Sequence, residues 1–203
     1  MQAFIQGIGV GSSLIIAVGA QNAFVLKQGL KQSHSLPIAA LCSFIDAVMI
    51  TAGVAGLGHL ILAFPLIKDI ASIGGAIFLL AYGARALRSS FHAQGLDTEA
   101  TQGADTLRAA ILTTLGISLL NPHLYLDTVV LLGSISTQFE QEDRQLFGAG
   151  AVLASFVWFF GLSLGARYLS PLFKQPKAWC YLDRFICLTM WSIAAALLWP
   201  YIK

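Results

Sequence analysis

The sequence predicts an all-α membrane protein: six transmembrane helices forming two inverted three-helix repeats, with helices one and four broken. Three observations predict this. Of the 203 residues, 57% are hydrophobic and only 11% charged, and the mean hydropathy is +0.74. A soluble domain carries roughly 25% charged residues, so lipid rather than water must cover most of this surface. Several apolar stretches reach the ~20 residues that a helix needs to cross a bilayer. The longest polar stretch, residues 89–105, divides the chain into halves of three helices each. An odd number per half makes the second half enter the membrane from the opposite side, which is the arithmetic of an inverted repeat.

Each segment has its own justification. The first spans about 3–26. Val18-Gly19-Ala20 would pass as a leader-peptide cleavage site, but no Lys or Arg precedes it and the apolar run continues through Leu26, so it reads as a retained membrane helix. The second spans about 36–64, with Ser35 placed to cap it and Pro37 in its first turn. It is longer than one crossing requires, so it either tilts or ends near Gly56 and Gly58. The third spans about 67–87, and Arg85 and Arg88 at its end are placed to snorkel toward headgroups. The fourth spans about 107–135 and contains Pro122. The fifth spans about 146–169, where Gly161 and Gly165 fit a small-residue packing face. The sixth spans about 179–201, with Trp179, Trp191, Trp199 and Tyr201 as interface anchors. The chain is thus a single membrane domain, 1–203: a first repeat at 1–88, a connecting loop at 89–105 and a second repeat at 106–203.

Basic residues set the orientation. Nine of the twelve lie in one set of loops (Lys27, Lys31, Arg85, Arg88, Arg108, Arg167, Lys174, Lys177 and Arg184) and three in the other (Lys68, Arg144 and Lys203). The positive-inside rule puts the first set in the cytoplasm and both termini outside. A net charge of +2 spread this way gives no basic patch for nucleic acid. Cys42, Cys180 and Cys187 form no Cys-x-x-Cys and read as small apolar packing residues. No metal-ligand cluster, phosphate loop or nucleophile triad is visible, and no cofactor is implied. A homodimer is compatible with the chain.

Chemistry concentrates at two acids and two helix breaks. Asp46 and Asp127 sit deep in apolar sequence, where a carboxylate costs at least about 2.5–3.5 kcal/mol on insertion scales. Each therefore faces a cation or proton site, or is held by a salt bridge or hydrogen bond to a neighbouring helix. Asn121-Pro122 interrupts helix four, as a simple kink or as a break exposing N–H groups suited to a carboxylate. Gln21 and Asn22, after Gly19-Ala20, form the corresponding interruption of helix one. His123 is a proton-relay candidate or a hydrogen-bonded packing residue, and Tyr125 follows it.

Gly19-Ala20-Gln21-Asn22-Ala23-Phe24-Val25-Leu26-Lys27-Gln28-Gly29-Leu30 resembles the first-helix signature of the lysine/arginine exporter family. Asn121-Pro122-His123-Leu124-Tyr125-Leu126-Asp127-Thr128 is similar to its fourth-helix signature. With matching length and motif spacing, the resemblance covers essentially the whole chain. It implies efflux of lysine, arginine or a close analogue across a bacterial inner membrane, driven by protons or the membrane potential. His123 and Asp127 favour a cationic substrate over the neutral ones taken by other members of the superfamily. Electron carriers of the same broad fold need a cysteine pair in helices one and four, which this chain lacks. The candidate substrate-binding residues are Gln21, Asn22, Asp46, Asn121, Pro122, His123, Tyr125 and Asp127. The breaks would take the substrate carboxylate and the two acids its cationic groups. Two alternatives stand beside the exporter: a divalent-metal exporter using Asp46 and Asp127 as oxygen ligands, and a membrane enzyme or non-transporting subunit.

Overall fold

A computed structural model describes residues 1–17, 19–58, 63, 65–91 and 106–202. Among these, every regular element is helical: α1 (Gln2–Ile15), α2 (Ala20–Lys31), α3 (Ser35–Val54), α4 (Pro65–Phe91), α5 (Leu107–Leu119), α6 (Pro122–Ser136), α7 (Gln141–Leu169) and α8 (Pro176–Ile202), with a 3₁₀ turn at Ser170–Lys174. Most of the expected connecting loop, 92–105, lies outside the described residues.

Four helices are long and apolar enough to cross a bilayer alone: Ser35–Val54, Asp69–Phe91, Gln141–Phe173 and Pro176–Tyr201. Two bent pairs, α1 with α2 at 84° and α5 with α6 at 61°, bring the number to six if each pair is one span. Many large apolar side chains, Ile77, Phe44, Val157 and Leu188 among them, point outward. In water this surface would aggregate; in lipid it costs nothing.

Glycines let the backbones approach. Gly7 and Gly11 lie against the backbone of Phe147 and Ala151, and Gly29 lies against Ser163 and Ala166. Both arms of helix one therefore advance along α7 in the same sense, each inclined to it on its own side of the bend. Gly75 meets Leu120 and Gly116 meets Phe78, so α4 and α5 are antiparallel. Gly83 meets Met190 and Trp191 while Tyr201 reaches Asp69, so α4 and α8 are antiparallel too. These directions gather the end of α2, the ends of α4 and α7 and the start of α8. Lys31, Arg85, Arg88, Arg167, Lys177 and Arg184 thereby share one end of the bundle.

Helix two ends at Val54, next to the expected stop near Gly56 and Gly58, because Gly56 at φ +92° turns the chain out of helical geometry. Several other expectations change. Ser35 is the first helical residue rather than the cap, since His34 takes the cap position in the left-handed region; the Ser35 hydroxyl accepts a long bond from Arg167 (3.5 Å). Lys27 sits within α2, not in a loop. Trp179 is buried and donates to Phe173 O, and Trp191 covers Gly83 and donates to Leu80 O, so neither is a free anchor. A side chain at Gly161 or Gly165 would meet nothing within 4 Å, so that stripe does not pack inside the chain. Gly148, Gly150, Ala151 and Ala154 form the packing face of α7 instead.

Candidate functional site

A helix that breaks leaves its last carbonyls without intrahelical donors. In an apolar setting those groups must be satisfied within the protein. Both breaks solve this with a polar side chain that reaches back from the second arm. At the first, Gly19 is extended and α2 starts at Ala20. The Asn22 amide donates to Ile15 O (2.9 Å) and Ala17 O (2.8 Å), and its oxygen accepts from the Trp158 indole of α7 (3.1 Å). At the second, Tyr125 donates to Leu119 O (2.5 Å). Asn121 caps the new arm by accepting from His123 N (3.1 Å), and Pro122 occupies the first helical position, where a missing N–H costs no bond. Beyond it, Tyr125–Leu132 winds as a π-helix, a form often found at functional sites.

Asp46 is buried on α3, and one carboxylate oxygen accepts from Ser155 of α7 (2.8 Å). Its other oxygen, Oδ1, is buried without a partner, as is the amide nitrogen Nε2 of Gln21. A buried acceptor and a buried donor are thus left unmatched, an arrangement that folding alone disfavours.

Both orphaned residues border one cavity of about 410 Å³, within the range of small-molecule sites. Gln21, Asn22, Asp46, Asn121, His123 and Asp127 all line it. Pro122 and Tyr125 do not; they serve the second break itself, as its first helical residue and as the donor to Leu119 O. His123 is exposed at the cavity and Asp127 is half-buried. Sequence reasoning did not single out Ser155, Trp158, Thr128, Phe159 or the α8 residues Ser192, Ile193 and Ala196. A serine or a small residue in an apolar helix carries no signal until its neighbours are known. Among the described residues, no group of three or more His, Cys, Asp or Glu is placed to hold a metal ion.

The profile of the LysE type translocator family matches residues 12–200, nearly the whole chain, and so includes both breaks and both acids. The chain belongs to the LysE type translocator family. It is accordingly a transporter rather than an enzyme, and its apolar helices make it a multi-pass membrane protein. Curated relatives cover the LysE-type chain almost end to end. The Serratia proteamaculans arginine exporter protein ArgO is 38% identical over 196 residues, 97% of this chain and 96% of its own. ArgO of Klebsiella pneumoniae is 39% identical over 192 residues, 94% and 90% of the two chains. YggA of Aeromonas salmonicida, whose name makes it a candidate amino-acid transporter, is 40% identical over 193 residues, 95% and 94% of the two chains. No solved structure matches the chain.

Proposed function

We propose that this LysE-type protein is a secondary transporter that exports a basic amino acid, arginine or lysine, across the bacterial inner membrane, coupled to protons or to the membrane potential. One observation carries the reading: two carboxylates and two helix breaks border the same cavity. A basic amino acid brings positive charge for the acids and a carboxylate for N–H donors. Asp46 Oδ1 and Gln21 Nε2 offer one unused group of each kind. Asn22 contributes differently from a ligand, because its amide is fully engaged in bracing the first break. The arginine exporters among the relatives support arginine as the first cargo to test.

The same reading has each bent pair cross the membrane once, giving six spans in two inverted halves. The antiparallel packing of α4 with α5 and with α8 supports it, as does the gathering of basic residues at one end, which we assign to the cytoplasm. When the cavity is empty the acids bind protons; when it holds a cation they release them. Efflux and proton entry are then linked by mutual exclusion.

Counterflow in proteoliposomes tests the reading, using labelled arginine, lysine, their decarboxylated amines, a neutral amino acid of similar length and divalent metal ions. Arginine or lysine should exchange and the neutral analogue should not. Equal exchange of the amines would remove carboxylate recognition. Metal-driven exchange would move the protein to the metal-exporter reading, and no exchange of any solute would favour a non-transporting subunit.

A further inference from the structure

The two helix breaks that border the cavity differ in their caps. Asn121 caps the second, accepting from His123 N at 3.1 Å. At the first, Gly19 holds the cap position, and among the described residues no side chain caps α2. A helix start carries N–H groups without intrahelical partners and the positive end of the helix dipole. Gly19, Ala20 and Gln21, which carry such groups, border the cavity. An uncapped start of this kind suits an anion.

A second observation stands beside it. Gln21 Nε2 is a buried donor without a partner, and Asp46 Oδ1 is a buried acceptor without one, on a residue only 2% exposed. Cys42, one turn before Asp46 on α3, lies next to the Gln21 amide. A thiol is a weak acceptor, so this contact leaves the amide donor unspent while setting Gln21 and Asp46 side by side. N–H donors next to a carboxylate match the head group of an amino acid, whose carboxylate and ammonium hang from one carbon.

Asp127 stands apart from this pair. Gly53 follows Asp46 by seven positions of continuous helix, and its added Cβ would meet Thr128 O at 2.5 Å and Val129 Cα at 2.8 Å. Asp127 adjoins Thr128, so the two acids sit about 10 Å apart along α3. Both nevertheless border the same cavity. An extended basic amino acid holds its two cationic groups about 7 Å apart, and an ion pair at each end adds about 3 Å. One molecule can therefore reach both acids.

We propose that the cavity divides its substrate between the two acids: the start of α2 and the Gln21 amide bind the α-carboxylate, Asp46 binds the α-ammonium, and Asp127 binds the side-chain cation. This rests on the basic-amino-acid exporter reading. Asp46 is then required for any amino acid, and Asp127 alone reads the charge of the side chain. The spacing of the acids sets the length of side chain that fits.

The test is equilibrium binding to the purified full-length protein in detergent, with arginine, citrulline (uncharged, of the same length) and agmatine (arginine without its carboxylate). The parent should bind arginine at least tenfold more tightly than citrulline. Asp127→Asn should bring the two within about twofold, and Asp46→Asn should weaken both at least tenfold. An Asp127→Asn protein that keeps the tenfold preference overturns the division, as does an Asp46→Asn protein that binds citrulline as the parent does. Gln21→Leu should weaken arginine at least threefold and leave agmatine unchanged; equal weakening overturns the carboxylate assignment. If either amide variant does not fold, Asp127→Glu decides: the longer acid shortens the space, so the preference should move at least threefold from lysine toward ornithine, and an unchanged preference overturns the division. A parent protein that neither binds nor exchanges any basic amino acid overturns the exporter reading itself, a result separate from any variant.

Discussion

Replacing Asn22 by alanine removes three hydrogen bonds at once, those to Ile15 O and Ala17 O and that from Trp158 Nε1. The site is partly buried, so two carbonyls and one indole N–H lose their partners in a place where water replaces them poorly. Each such group costs about 1–3 kcal/mol when left unsatisfied. Hydrogen bonds between membrane helices have averaged nearer 0.6 kcal/mol in double-mutant cycles, which sets the lower bound. The sum expected for Asn22→Ala is about 2–4 kcal/mol. For a chain of this size that lowers the unfolding midpoint by roughly 5–15 °C. The assay is thermal unfolding of the detergent-solubilised protein, run as a cycle with Trp158→Phe. Trp158→Phe alone should cost about 1 kcal/mol, and the double variant should cost less than the sum, because the indole bond is shared. Unchanged stability in Asn22→Ala together with weakened arginine binding would refute the bracing role and return Asn22 to the substrate.

Three further outcomes are expected. Asp46→Asn and Asp127→Asn should each abolish or severely reduce counterflow while inserting normally, since an amide is easier to bury than a carboxylate but cannot pair with a cation; normal flux in either variant removes that acid from the site. Gly53 and Gly133 face each other across α3 and α6, where an added Cβ would stand 2.5 Å from Thr128 O and 2.6 Å from Gly53 O. Gly53→Ala and Gly133→Ala should each cost about 1–3 kcal/mol by overpacking, read as a lower unfolding midpoint. Cysteines placed at positions 2 and 203 should be labelled from outside intact cells and cysteines in 89–105 should not; labelling of that loop would reverse the assigned orientation.

Helical spans were legible because a bilayer imposes a length and a polarity that few sequences meet by chance. Both breaks were legible for the same reason: Gly19 to Asn22 and Asn121-Pro122 put polar and helix-breaking residues where apolar ones belong. What those residues do was less legible. Gln21, Asn22, Asn121 and Tyr125 look alike as polar residues near a break, yet Asn22 and Tyr125 tie off carbonyls, Asn121 caps an arm and Gln21 holds an unused donor. Only geometry separates these roles. The end of helix two was left open between a tilt through 64 and a stop near Gly56 and Gly58, because apolar residues continue past Gly56 and hydropathy does not register a positive φ. The ion pair of Lys27 in α2 with Asp183 in α8 was invisible because nothing local marks two charges as partners across 156 positions.

The π-helical run from Tyr125 to Leu132 amounts to slack wound into α6 at the place where Asp127 sits. An ordinary helix can move an acid only by tilting or sliding as a rod, and glycine-tight contacts such as that of Gly53 with Thr128 and Val129 resist both motions. A helix holding a wide turn has a third option. As a wide turn moves past a residue, that residue turns by about 100° about the helix axis and shifts by one residue's rise, while the turns on either side keep their places. Asp127 can thus be turned toward the cavity or away from it with both ends of the span held still. A motion that presented or withdrew this charge would need no hinge in the bundle, only the passage of one surplus residue along the run from Tyr125 to Leu132.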